Sequence, residues 1–129
     1  MRSNAIGLAV GMTGVAFLAS CGNSTSPYGG GGGGGGGACT PNATTVCMNA
    51  LSFNQSSLTV PTGTTVTWRN GSGVTHTVTS DAGSSLTFNS GDVTSGATFS
   101  QAFNTAGTYN YHCNYHVASG MTGTITVSP

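Results

Sequence analysis

An all-β sandwich is the fold class predicted for residues 38–129, on three observations. The segment is rich in Thr, Ser, Asn and Val, turn-forming residues recur at intervals of roughly eight to twelve positions, and no helical apolar period is sustained. Val46–Phe53 is the first expected strand and Leu58–Val60 the second. Thr64–Arg69 alternates most clearly, with Val66 and Trp68 inward and Thr65, Thr67 and Arg69 outward. Gly71-Ser72-Gly73 turns the chain into Thr75–Ser80, around which Val74, His76 and Val78 share a face. After a turn at Ser90-Gly91-Asp92 comes Ala97–Phe103. Thr105-Ala106-Gly107 then leads into Thr108–Cys113, which places Tyr109, Tyr111 and Cys113 on one face. The last strand is Thr122–Val127, with Met121, Gly123, Ile125 and Val127 aligned. Trp68, Phe53, Phe88, Phe99 and Phe103 are the expected core, and Met48 fills space among them.

Charge excludes whole classes of partner. Only 3% of the 129 residues are charged, and Arg2 and Arg69 balance Asp81 and Asp92. No basic footprint for nucleic acid or anionic lipid exists, and long-range steering of any partner must be weak.

Residues 1–20 have the character of a leader. Arg2 precedes an apolar, Gly-broken stretch from Ala5 to Ala19 that is short for a bilayer span. The stretch ends Leu18-Ala19-Ser20-Cys21, which resembles the bacterial lipobox. That resemblance implies a diacylglyceryl group on Cys21, cleavage before it, and acylation of the new amino terminus. Several acyl chains anchor stably where one is marginal. Gly22, in place of an Asp, favours the outer membrane where the host has one. Residues 21–37 form a linker that includes nine consecutive glycines, Gly29 to Gly37. Such a segment reaches roughly 20–24 Å from end to end and serves as a tether.

The chemistry lies towards the C-terminus. Cys113, His116 and Met121 have the spacing C-x2-H-x4-M, and His76 stands upstream in Val74-Thr75-His76-Thr77-Val78. Each of the four continues an inward-facing row and stands at its end, so four donors converge at one pole of the sandwich. A thiolate, two imidazoles and a thioether make a soft, mixed set. Two His and one Cys with a weak axial Met belong to mononuclear blue-copper electron-transfer centres. Zinc would take a stronger fourth ligand than a thioether, and iron–sulfur clusters need more thiolates.

Residues 46–129 resemble the plastocyanin-like cupredoxins. The matching stretches are Leu58-Thr59-Val60-Pro61 with Gly63-Thr64-Thr65-Val66-Thr67-Trp68, His76-Thr77-Val78, Gly107-Thr108-Tyr109-Asn110-Tyr111-His112-Cys113, and Gly120-Met121-Thr122-Gly123-Thr124-Ile125. The resemblance implies a Greek-key β-sandwich of seven or eight strands. It implies one copper ion, with His76, Cys113 and His116 as equatorial ligands and Met121 as the axial one. A non-enzymatic monomer is expected, which shuttles single electrons between a redox protein donor and acceptor outside the cytoplasm. In that family the second His meets the surface within an apolar patch. Here it would be His116, with Val117, Ala118 and Gly120 beside it and Gly71, Gly73 and Val74 extending the patch. Two positions depart from the family's habit. Tyr115 stands where Pro is common, and Thr77 where Asn is frequent, although its hydroxyl can make a similar bond to the other ligand loop.

Other assignments compete with this one. His112 points away from the Cys113 face and is expected to be solvated. The pair His-Cys also occurs in copper nitrite reductases and multicopper oxidases, where the adjacent His binds a second, catalytic copper. Such a centre needs several more imidazoles than the three His of this chain. Cys39 and Cys47 are expected to form a disulfide in an exported protein, against two free thiols or an accessory metal contact. The alternative function is a periplasmic copper carrier or store. Those usually present Met- or His-rich sites, whereas residues 38–129 hold only Met48 and Met121.

Overall fold

The computed structural model of the protein describes residues 37–129. The expected leader, Cys21 and the linker up to Gly36 lie outside the described residues. Eight strands follow one another: β1 (Thr45–Met48), β2 (Phe53–Asn54), β3 (Ser57–Pro61), β4 (Thr64–Asn70), β5 (Thr79–Ser80), β6 (Thr98–Phe103), β7 (Gly107–His112) and β8 (Thr122–Ser128). They build two four-stranded sheets, ordered β2-β1-β4-β6 and β3-β8-β7-β5. The chain changes sheet at every connection except β1–β2 and β7–β8. Each sheet is mixed, because β1 runs parallel to β4 and β3 parallel to β8. The expected all-β sandwich is what forms, with no helix among the described residues long and apolar enough to cross a membrane.

Alternation drives the packing. In β4, Val66 and Trp68 are buried while Thr65 and Arg69 are exposed, and β8 buries Gly123, Ile125 and Val127. The two inner faces meet through aromatic rings. Trp68 of one sheet stands edge-on to Tyr111 of the other at 5.3 Å, Phe53 meets Tyr111 at 4.8 Å, and Phe103 meets Tyr109 at 5.1 Å. Such pairs contribute about 0.5–1.5 kcal/mol each beyond the area they bury. Phe88 joins this cluster buried, whereas Phe99 packs against it only partly buried.

Two expected strands end differently. Val46–Phe53 is not continuous: Asn49 N–H donates to Ser52 O at 2.8 Å, and the chain folds back so that Phe53 pairs with Met48. Asn and Ser, which favour turns, prevail over the apolar residues between them and leave Leu51 exposed. Thr75–Ser80 is a strand only at Thr79–Ser80. His76 makes a lone antiparallel bridge to Val93, with bonds of 3.1 and 2.8 Å in the two directions. Thr77 N–H goes instead to Cys113 Sγ and Val78 N–H to Ser90 Oγ. Thr77 and Val78 are therefore both buried while Val74 is exposed, which breaks the expected alternation.

Gly123 lies opposite Tyr111 in the β7–β8 ladder, and a Cβ at this position would overlap the Tyr111 ring. That ring is held between Phe53 and Trp68 and has nowhere to swing. Gly123→Ala should therefore destabilise the domain by about 1–3 kcal/mol through overpacking. Denaturant unfolding of the variant beside the wild type measures this, and an unchanged midpoint would show that the core yields at this point.

Candidate metal centre

Three donor side chains meet at the pole where β4 and β7 end and β8 begins. Cys113 follows β7 directly, and its Sγ lies 3.7 Å from His76 Nδ1 and 3.4 Å from His116 Nδ1. All three donor atoms fall within 4.8 Å of one another. A soft ion bound by nitrogen at about 2.0 Å and by sulfur at about 2.3 Å would set N–S separations of about 3.6–3.8 Å. The donors thus stand near the spacing that one shared ion would impose. His76 and Cys113 are fully buried, whereas His116 is half-buried.

Backbone bonds fix the short ligand loop. His116 N–H donates to Cys113 O at 3.1 Å, Cys113 N–H to Met121 O at 3.0 Å, and Met121 N–H to His116 O at 3.2 Å. Between them runs one turn of 3-10 helix, Val117–Ser119, which Gly120 ends in the left-handed region at φ 84°. Met121 is thereby fastened to both Cys113 and His116, and its side chain is fully buried.

Hydrogen bonds from the second loop reach the sulfur and the loop beyond it. Thr77 N–H points at Cys113 Sγ from 3.4 Å, and Thr77 Oγ1 accepts the Asn114 N–H at 2.8 Å. The Thr77 hydroxyl therefore ties the two ligand loops together, as its chemistry allowed. His76 Nε2 lies 2.9 Å from Ser72 Oγ, and Ser72 is bonded in turn to the buried Asn70. In the sequence Asn70 by itself carries no signal and Ser72 reads only as part of the turn Gly71-Ser72-Gly73. The signal that could have found them is an Asn followed two residues later by Ser, just ahead of a buried His.

Cys39 and Cys47 form a disulfide with their Cα atoms 5.6 Å apart. It packs on the start of the His76 loop, where a Cβ on Gly71 would come within 2.9 Å of Cys39 Cβ. Only Gly allows this approach. His112 is not simply solvated. Its Nδ1 meets Asp81 Oδ1 at 2.5 Å and its Nε2 meets Asn114 Oδ1 at 3.0 Å, leaving its side chain 24% exposed. Tyr115 is exposed and donates its hydroxyl proton to Asp92 Oδ1 at 2.5 Å, which holds its pKa above the ordinary value.

Residues 40–128 match the family described as copper binding proteins, plastocyanin/azurin family. A plastocyanin of Scenedesmus fuscus is 40% identical over 86 residues, which span 60% of this chain and 88% of that protein. A halocyanin of Natronomonas pharaonis is 40% identical over 81 residues, 61% of this chain and 50% of that one. Among solved structures, a purple cupredoxin from Nitrosopumilus maritimus superposes with a TM-score of 0.58 at 31% identity, covering 66% of this chain and 99% of its own.

Burial holds the His76 imidazole below its ordinary pKa of 6.5. The charge of His116 adds to this, and the Asn49 carbonyl opposes both. In the metal-free protein, native His76 stays neutral at pH values where the unfolded chain has already taken up a proton. The unfolded state then binds more protons than the native one, so stability must fall as pH drops through about 6.5 and below. Denaturant midpoints of the metal-free protein measured from pH 8 to 5 should show this decline, and His76→Gln should make it shallower.

Proposed function

The chain belongs to the plastocyanin/azurin family of copper-binding proteins, and on that premise we propose that His76, Cys113, His116 and Met121 hold one copper ion in an electron carrier. The observation that carries the proposal is one buried cysteine and two imidazoles presented to a common point within 4.8 Å. Copper bound there supplies one-electron chemistry, alternating between Cu(I) and Cu(II). The protein's part is to keep the donors where they are in both states. The backbone bonds of the Cys113–Met121 loop and the Thr77 bridge suit that task, because neither depends on the ion. A carrier or storage role is less well supported: His76 is fully buried, and a site closed on that side favours retaining the ion over handing it on.

Electrons leave by way of His116, the less buried imidazole, in this proposal. Its chain neighbours Tyr115 and Val117 are 58% and 47% exposed, and Val74, two residues before His76, is 42% exposed. This is an apolar surface on which a redox protein could dock without charge pairing. Donor and acceptor are then recognised by shape and apolar contact. Such a protein works outside the cytoplasm, where the Cys39–Cys47 disulfide persists. Cys21 is the proposed lipid-bearing residue at the head of the linker over residues 21–37, after loss of residues 1–20. Residues 38–129 are the proposed working domain.

Colour tests the site. The Cu(II)-loaded protein should show an intense visible charge-transfer band from the Cys113 sulfur, Cys113→Ser should erase it, and Met121→Gln should keep it while lowering the reduction potential. Stoichiometric Cu(II) binding without a visible band would refute this ligand set. Membrane fractionation tests the anchor. Cys21→Ser should move the full-length protein to the soluble fraction, and continued membrane association of that variant through high-salt washing would rule out lipidation as the anchor.

A further inference from the structure

We propose that Ser72 is a positioning residue for the metal centre, accepting the Nε2 proton of His76 and so turning the lone pair of Nδ1 towards Cys113 and His116. The inference builds on the copper reading above but starts from a different place, the buried side chain of Asn70. Asn70 Nδ2 lies 2.7 Å from Val74 O and 2.8 Å from Val93 O. Both partners are carbonyls and can only accept, so the amide orientation of Asn70 is decided: its NH2 faces them and its Oδ1 faces Ser72. That Oδ1 receives Ser72 N–H at 2.9 Å and lies 2.8 Å from Ser72 Oγ.

A hydroxyl has one proton. Asn70 Oδ1 is the nearest acceptor, at 2.8 Å against 3.2 Å for the Val74 carbonyl, and keeps a second lone pair after taking the Ser72 N–H. With its proton directed at Asn70, the Ser72 oxygen has only lone pairs to offer His76 Nε2 at 2.9 Å. The imidazole must then carry its proton on Nε2, which leaves Nδ1 bare on the side where Cys113 Sγ lies 3.7 Å away. Two backbone carbonyls thus set the tautomer of the buried His through Asn70 and Ser72. A hydroxyl that already donates is a stronger acceptor, and a hydrogen bond of this kind raises the basicity of a metal-bound imidazole.

Removing the hydroxyl should weaken Cu(II) more than Cu(I), since the harder ion depends more on nitrogen. Ser72→Ala in the full chain should lower Cu(II) affinity about 10–100-fold in chelator competition. If Cu(I) affinity is unchanged, each tenfold loss raises the reduction potential by about 60 mV. Ser72→Thr, which keeps the hydroxyl, should restore wild-type values. A folded Ser72→Ala protein with wild-type affinity and potential would overturn the proposal, with the Asn49 carbonyl as the partner that holds the proton instead. A second readout needs neither copper nor a variant. In the metal-free full-length protein, imidazole 15N shifts should report His76 protonated at Nε2, and protonation at Nδ1 would overturn the proposal even if Ser72→Ala does not fold. Failure of the copper reading would be seen separately, as a wild-type protein without the visible band.

Discussion

Everything at the functional pole depends on burying a thiol and an imidazole, Cys113 and His76, without leaving their polar atoms unsatisfied. A buried thiol and imidazole destabilise a core unless the groups around them are satisfied. Here the surrounding bonds come from the chain itself. Thr77 N–H serves the sulfur, Ser72 serves His76, and Asn70 serves Ser72 while closing all four of its own amide positions. The donors are therefore held by bonds of the chain itself. That suits a carrier whose geometry must not change when one electron is added.

The rest of the sandwich supplies the stiffness that this arrangement needs. Trp68 is in contact with Tyr111, Phe88, Phe99 and Phe103, and Tyr111 sits two residues before Cys113 on the same face of the chain. Packing of the core thus reaches the thiolate through a single strand. Burial also pushes the Tyr111 hydroxyl up to about 12, so this ring stays neutral beside the metal pole across the physiological range. On the other flank, the disulfide closes on Gly71 at the root of the His76 loop. One ligand loop is stiffened from the core and the other from the domain's first residues.

The scarcity of charge has a consistent meaning throughout. Among the described residues Asp81 is paired with His112, and Asp92 accepts from Tyr115, so both acidic side chains are engaged close to the ligand loops. Little field is left to steer a partner from afar, in keeping with the proposed docking face of exposed Val74, Tyr115 and Val117.

What the sequence determined by itself is whatever repeats locally. Period-2 alternation marked β4, β7 and β8, and the inward rows of Tyr109, Tyr111 and Cys113 and of Gly123, Ile125 and Val127 emerge where the alternation put them. The spacing from Cys113 to Met121 marked a loop that can turn three donors to one side, because so short a segment has few ways to close. The breaks lie outside that period, one made by local turn residues and one by distant partners. Asn49–Ser52 folds back, and the segment before β5 surrenders its strand bonds to Ser90 and to the Cys113 sulfur, a partner 36 residues away. Tertiary structure decided the roles of Asn70 and Ser72, which carry no periodic signal. Their meaning comes from carbonyls of Val74 and Val93 that only the folded chain brings within reach. A hydrogen bond is made by position in space, and position across long separations is not written in any local pattern.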